Sequence, residues 1–313
     1  MSRKIYNKNL LIFLADSRKK WTKEKYLLSM FIPVILYYVV FHYIPIYGVL
    51  IAFKDFSPTK GIMRSEWVGF IHFMDFFNSY YFWRLIRNTV LINAYSIIFS
   101  FPAPIILALM LNEVGNKSFK KIVQTTSYLP HFISLVVVVG IIVDFTERTG
   151  LINDIITVFG LERIPFLTEE RWFRTIFIGS EIWQGVGWGS IVYLAVLSSI
   201  DQQLYEAAVV DGAGRWKQLI HITLPGIAPT IIILLILRIG RMMDVGAQKT
   251  LLLYNPLTYE TADVISTFVY RKGILDYSFS YSTAVNLFNT VINLSLVIFA
   301  NKLSRKITDT SLW

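Results

Sequence analysis

Six stretches of this chain, at about residues 26–52, 87–112, 122–144, 173–199, 227–244 and 282–303, are long and apolar enough to cross a bilayer. A spanning helix needs roughly 20 mostly apolar residues. Inside hydrocarbon each backbone N–H and C=O must be satisfied within its own segment, so stretches of this length have to fold as α-helices. The expected class is all-α: a polytopic membrane protein with a six-helix transmembrane domain over 26–303, preceded by a basic segment at 1–25 and followed by a short tail at 304–313. Composition agrees, with 54% hydrophobic and 16% charged residues, against about 45–50% and about 25% in soluble domains. The fifth stretch is the weakest, because Arg238, Arg241 and Asp244 crowd its end.

Charge orients the chain. With the N-terminus in the cytoplasm, the inside segments are 1–25, 113–121, 200–226 and the residues from Lys302 onward. They hold 16 of the 30 basic and 7 of the 21 acidic residues. The whole net charge of +9 then lies on one side, and the remainder balances. That asymmetry is the positive-inside pattern, so both termini and the 200–226 segment are expected in the cytoplasm. It also argues against nucleic-acid binding, which needs the cations gathered into a binding face. No signal-peptide pattern precedes the first span, which is therefore expected to be retained. The absence of cysteine excludes disulfides and thiolate metal sites, and the four histidines are scattered.

Five prolines (Pro33, Pro45, Pro102, Pro104 and Pro130) fall inside the spans and are expected to kink them. Their roles divide between packing geometry and gating. Span four gathers Gly179, Gly185, Gly187, Gly189 and Ser190, which permit close helix contact.

Between spans four and five lies a polar, helix-prone insert, EAAVVDGAGRWKQLIHITLP, at 206–225. Asp201 is placed to cap a helix starting near Gln202. Gly212 and Gly214 break or bend that helix, and a second one, Arg215 to His221, is expected to stop before Leu224-Pro225. Two short helices joined at a glycine elbow make a rigid knob suited to a groove on a partner. An ordinary loop with helical content is the simpler alternative, but it does not explain the order and spacing of Glu-Ala-Ala, Asp-Gly-Ala and Leu-Pro.

That pattern resembles the coupling loop of the membrane subunits of binding-protein-dependent ABC importers, and the similarity extends over about 87–303. Glu206, Ala207, Ala208, Asp211, Gly212, Ala213, Ile222, Leu224 and Pro225 match the motif, while Leu219 stands where phenylalanine is common. The resemblance implies a type I importer permease fold, with the loop seated in a cleft of an ATPase. It also implies partners: a second homologous permease in a heterodimer, two ABC ATPase subunits and an extracytoplasmic solute-binding protein, at a bacterial cytoplasmic (inner) membrane. The segment LLYNPLTYETADVISTFVYRKGILD at 252–276 looks like the subgroup that imports oligosaccharides or polysaccharide fragments.

No GxxxxGK[ST] phosphate loop is present, so the chain is not expected to be an enzyme or to bind a cofactor. ATP and Mg would be used by the partner ATPase. Ionisable residues within spans mark functional paths or buried pairs. Glu181, Gln184 and Trp188 share one helical face at i, i+3 and i+7. A polar and aromatic stripe suits a glycan, whose hydroxyls bond and whose ring faces stack. The alternative is a buried Glu181 satisfied by Arg238 or Arg241, with Trp188 at a helix interface. Asn286, Asn289 and Asn293 share a second face, equally suited to sugar contact and to inter-helix hydrogen bonds. Arg238, Arg241 and Asp244 would form an ion-pair gate or snorkel to the interface. The outer loops, about 53–86 and 145–172, are the natural surface for a binding protein, or simply a solvated rim.

Two readings compete with the importer permease. An ion-coupled secondary transporter would need inverted repeats and paired midplane charges, for which Glu181 alone is thin. A scaffold or sensor on the same fold is the other, since fold does not fix function. Import of another polar solute by the same family is a third, closer alternative.

Overall fold

A computed structural model describes residues 25–308 and 311–312, so the expected basic segment lies outside the described residues except for Lys25. The first helical stretch begins as α1 (Lys25–Tyr38) and continues through a π turn, Val39–Tyr43, to a 3-10 segment ending at Phe53. A two-residue antiparallel pair follows, β1 (Lys54–Asp55) with β2 (Glu66–Trp67). Then come α2 (Phe82–Tyr95), α3 (Pro102–Glu113), α4 (Lys117–Tyr128), α5 (Leu135–Thr146) and α6 (Leu151–Val158). The second half holds α7 (Glu170–Ser198), α8 (Gln202–Val210), α9 (Arg215–Gln218), α10 (Leu224–Ile239), α11 (Ala247–Leu253), α12 (Ile265–Tyr270) and α13 (Phe279–Thr308).

Among the described residues, four unbroken stretches are long and apolar enough to cross a membrane: Ser29–Phe53, Phe82–Glu113, Arg215–Ile239 and Phe279–Lys306. A fifth is a bent pair, Lys117–Phe132 with Leu135–Val158, which meet at 103°. This corrects the single helix expected over 122–144. Pro130 opens a 3-10 turn there, and Ile133 and Ser134 then run extended, so the helix cannot carry through. The fourth expected span, α7, has the necessary length at 29 residues. Its Glu181, Gln184 and glycines make it less apolar than the others, as suits a helix packed among α2, α3, α4 and α10 rather than bathed in lipid.

Three other prolines shape the spans by widening turns rather than by breaking them. The π turns Val39–Tyr43, Ser96–Ser100 and Leu219–Thr223 each end two residues before a proline: Pro45, Pro102 and Pro225. In each, the residue before the proline bonds back five residues, as in Phe101 N–H to Ser96 O at 2.9 Å. The wider turn accommodates the ring that would otherwise strike the carbonyl four residues earlier. The helix beginning at Arg215 therefore does not stop before Leu224-Pro225, as the sequence suggested, but runs on to Ile239. The fifth span shifts accordingly from 227–244, and Arg241 and Asp244 lie in the turn beyond it.

Three buried clusters tie the helices together. Ile92, Phe173, Phe177 and Val264 join α2, α7 and the segment before α12. Phe76, Leu85, Phe268 and Val285 join α2, α12 and α13, and Ile105, Tyr193, Leu197 and Ile227 join α3, α7 and α10. By contrast, the apolar window of Ser29–Phe53 buries nothing. Lipid solvates such a surface as well as protein does.

Gly187 lets α4 approach α7. A methyl group there would fall 2.1 Å from the carbonyl oxygen of Ser127. Gly187→Ala is expected to destabilise by about 3 kcal/mol, since the colliding atoms, Ser127 O and C and Tyr128 N, belong to backbone that must move. Gly185→Ala, with nothing within 4 Å, is the control. Equal melting temperatures for the two purified variants would contradict the packing argument.

Candidate functional site: a surface knob and a charged cavity

The insert after α7 folds as a knob with defined internal bracing. Asp201 accepts a hydrogen bond from Gln203 N–H at 3.0 Å and caps α8 as expected. The far end of α8 closes with Gly212 N–H on Val209 O at 3.0 Å and Ala213 N–H on Ala208 O at 2.8 Å. This pair of bonds is a Schellman motif, and it requires the left-handed backbone that Gly212 adopts at φ +73°. Gly214, the other expected elbow residue, has an ordinary φ of −70° and serves as the N-cap of α9.

Residues outside the matched pattern lock the two arms. Tyr205 Oη and Thr223 Oγ1 are 3.0 Å apart, and Gln218 Nε2 donates to Ala213 O at 2.8 Å. Sequence reasoning passed over Tyr205, Gln218 and Thr223, although polar residues one turn from the Gly and Pro breakers were a usable signal.

Of the matched residues, Glu206, Ala207, Asp211, Gly212 and Pro225 are exposed, whereas Ala208, Ala213, Leu219, Ile222 and Leu224 are half-buried. Leu219 points partly into the knob's own packing. The apolar groups that stand out are Val210, 87% exposed, and Trp216, 76% exposed.

The second site lies between the helices. Glu181 on α7 forms an ion pair with Arg238 on α10. Its other oxygen accepts hydrogen bonds from Ser96 at 2.8 Å and Ser100 at 3.2 Å, both in the π turn between α2 and α3. Arg238 also donates to Ser96. The paired-glutamate alternative therefore describes Glu181. Ser96 and Ser100 are the partners that sequence reasoning did not name.

The pair is not sealed in packing. Glu181, Arg238 and Arg241 line two cavities, one of about 450 Å³ beside Pro104, Tyr193 and Leu234, the other of about 320 Å³ beside Ile92, Asp244 and Lys249. Gln184 lines the second. The expected three-residue stripe is thus split, because Trp188 leaves the cavity and stacks on His131, with centroids 4.6 Å apart and planes 3° apart. Phe132 meets it edge-on.

The asparagine face on α13 is likewise divided. Asn293 accepts a hydrogen bond from Met243 N–H at 2.9 Å and holds the turn after α10. Asn289 is buried, with no hydrogen-bond partner for its Oδ1, and Asn286 is exposed. The expected ion-pair gate among Arg238, Arg241 and Asp244 is replaced by Arg238–Glu181, since among the described residues Asp244 forms no ion pair within 4.0 Å.

Near the N-terminal ends of α2 and α7 a denser network forms around Asp263, which is fully buried. It receives Arg271 through both oxygens at 2.8 and 2.6 Å, Arg84 at 3.2 Å and Thr267 at 2.8 Å. Asn88 Nδ2 donates to the backbone carbonyls of Glu260 and Asp263, and Arg174 donates to Asn88 Oδ1. The ADVISTFVYR stretch is therefore a clamp that fixes the 259–271 segment onto α2.

With this geometry in view, comparison with known proteins is decisive. Residues 100–309 match the model of the "Binding-protein-dependent transport system inner membrane component" family. The chain belongs to that family. Protein LplB of Bacillus subtilis (strain 168) is 47% identical over 292 residues, covering 93% of this chain and 92% of its own length. The polygalacturonan/rhamnogalacturonan transport system permease protein YteP of the same organism is 44% identical over 308 residues, covering 97% and 96%. Among solved structures, a bacterial ABC transporter involved in import of the acidic polysaccharide alginate superposes with a TM-score of 0.86 at 46% identity, covering 93% of this chain and 98% of that one. The same kind of transporter in complex with alginate pentasaccharide-bound periplasmic protein gives 0.87 at 45%, covering 94% and 99%. The permease is thus a multi-pass membrane protein and a translocation subunit.

Proposed function

We propose that this permease is one half of the channel of an ATP-driven importer of oligosaccharides or polysaccharide fragments in a bacterial cytoplasmic membrane. A second homologous permease, two ABC ATPase subunits and an extracytoplasmic binding protein complete the assembly. ATP and Mg are used by the ATPases alone. Six spans, with α7 the fourth, leave both termini and the knob in the cytoplasm, as the distribution of Lys and Arg supports. The relatives named for glycan transport support the cargo class.

The observation that carries the mechanism is mechanical. From Arg215 at the knob to Ile239 the chain is one helical rod of 25 residues, roughly 37 Å long at 1.5 Å per residue. One end stands in the ATPase-facing knob, and Arg238 near the other end holds Glu181 between the two cavities. A displacement of the knob is therefore delivered to the ion pair. The pair closes the path in one state and parts in the other, an equilibrium biased from both faces. Glu206, Ala207, Ala208, Asp211, Gly212, Ala213, Leu219, Ile222, Leu224 and Pro225 shape the knob, while Glu181 and Gln184 line the path. Trp188, Asn286 and Asn289 serve helix packing or the lipid and partner faces.

ATP-dependent uptake of labelled tetragalacturonate, alginate oligosaccharide and arabino-oligosaccharide by the reconstituted assembly tests this reading. Accumulation of at least one glycan is expected. A complex that hydrolyses ATP in response to its binding protein yet accumulates none of them would overturn it.

A further inference from the structure

Lys249 is the charge left over in the cavity beside Asp244. Its side chain is almost wholly out of solvent, the residue being 7% exposed, and it lines the cavity of about 320 Å³. Four other charged residues share that wall. Arg238 is spent on Glu181, and Arg241 and Asp244 cancel in formal charge. Among the described residues no carboxylate lies within 4.0 Å of the Lys249 ammonium. Glu181 acts on it electrostatically from beyond that distance, while its direct contacts are a hydrogen bond to Phe177 O at 2.8 Å and the Phe177 ring at 4.4 Å from its centroid. One of its three N–H donors is therefore used, by a neutral acceptor.

A buried ammonium with no carboxylate in direct contact is costly, and in a membrane protein such a group marks a substrate or ion pathway. The ring and carbonyl of Phe177 hold Lys249 in place but do not neutralise it. We propose that Lys249, assisted by Arg241, is the seat for a carboxylate of the glycan in transit, so that the permease favours anionic sugars such as uronic-acid oligosaccharides over neutral ones. This rests on the glycan-import reading above and narrows it. The cavity is polar enough for hydroxyls, through Asn93 and Gln184, and Lys249 adds the one feature that neutral sugars do not require. A carboxylate placed there accepts charge-assisted hydrogen bonds of the stronger kind.

The test is equilibrium binding to the permease–ATPase assembly in zwitterionic-lipid nanodiscs, without the binding protein. Its probes are fluorescent tetragalacturonate and the same tetrasaccharide with its carboxyls reduced to alcohols. The intact protein is expected to favour the charged probe by about tenfold, the equivalent of roughly 1.4 kcal/mol. Lys249→Met should erase that preference, and Lys249→Arg should retain most of it. Binding-protein-stimulated ATP hydrolysis reports that each variant is assembled. Equal affinity for the two probes, or a preference untouched by Lys249→Met, would overturn the inference while leaving glycan import standing. Should Lys249→Met fail to assemble, Arg241→Gln must reduce the preference, and an unchanged preference there overturns it. Competition by phosphatidylglycerol added to the nanodiscs, lost with Lys249→Met, would assign the site to a lipid headgroup instead. Binding of neither probe also overturns the inference, and the uptake experiment then decides whether glycan import falls with it.

Discussion

Asp263→Ala is expected to lower the stability of the permease by about 3–5 kcal/mol, the range for removing one partner of a buried ion pair. The carboxylate is fully buried and answers two guanidiniums at once. Without it Arg84 keeps only a 3.7 Å contact to Glu260, and Arg271 keeps no carboxylate among the described residues. Thr267 loses one of its two acceptors and keeps Val264 O. The loss therefore exceeds what any exposed pair in this chain could cause, such as Arg171–Glu169 at the α7 start, since surface pairs contribute about 0–1 kcal/mol. Thermal unfolding of the purified protein measures it. The double variant Asp263→Leu with Arg271→Met should recover part of the loss, because a buried pair can be replaced by apolar groups of similar volume at little cost. A loss below about 1 kcal/mol for the single variant would show that water reaches these arginines and that the clamp is not a dry network.

The largest functional effect is expected at the knob. Val210→Asp and Trp216→Asp each place a charge where an exposed apolar side chain would enter an ATPase groove. Apolar anchors at interface centres are worth 2 kcal/mol or more, about a 30-fold loss of affinity. Uptake and co-purification of the ATPase should fall together. Neither side chain contributes to the permease's own packing, so the melting temperature of the isolated subunit should hold. Leu219→Asp is a poorer probe because Leu219 is half-buried and its loss would disturb the knob itself. Gly212→Val tests the same joint from within. A β-branched residue is strained at φ +73°, so the Schellman closure should open and the angle between α8 and α9 should change. If Val210→Asp and Gly212→Val both keep uptake and ATPase capture, the knob is not the joint.

Much of this was legible in the chain itself. The apolar stretches announced an all-helical membrane protein, because a bilayer leaves the backbone no other economical way to satisfy its polar groups. Asp201 and Gly212 were readable because a cap and a left-handed elbow depend on one residue and its immediate neighbours. The Leu224-Pro225 stop was misread for the same reason. A lone proline predicts a break, and the widened turn at Leu219–Thr223 that absorbs it is a property of the surrounding packing. The third span failed similarly. The sequence shows Pro130 but not that the chain would turn by 103° to lay α4 against Gly187 of α7.

The candidate path divides along the same line. Helical spacing put Glu181, Gln184 and Trp188 on one face, yet 100° per residue spreads such a face widely enough for its members to meet different neighbours. Glu181 found Arg238 and Ser96, 57 and 85 positions away in the sequence, while Trp188 found His131. Sequence alone determined the solvent, the helical class and the local form of the knob, all of which depend on composition or on contacts within a few residues. Only the tertiary structure decided which charges pair, where cavities remain between helices, and that among the described residues no carboxylate comes within 4.0 Å of the Lys249 ammonium. Those outcomes depend on side chains brought together from distant spans, and in a low-dielectric interior a few ångströms separate a neutralised charge from a binding site.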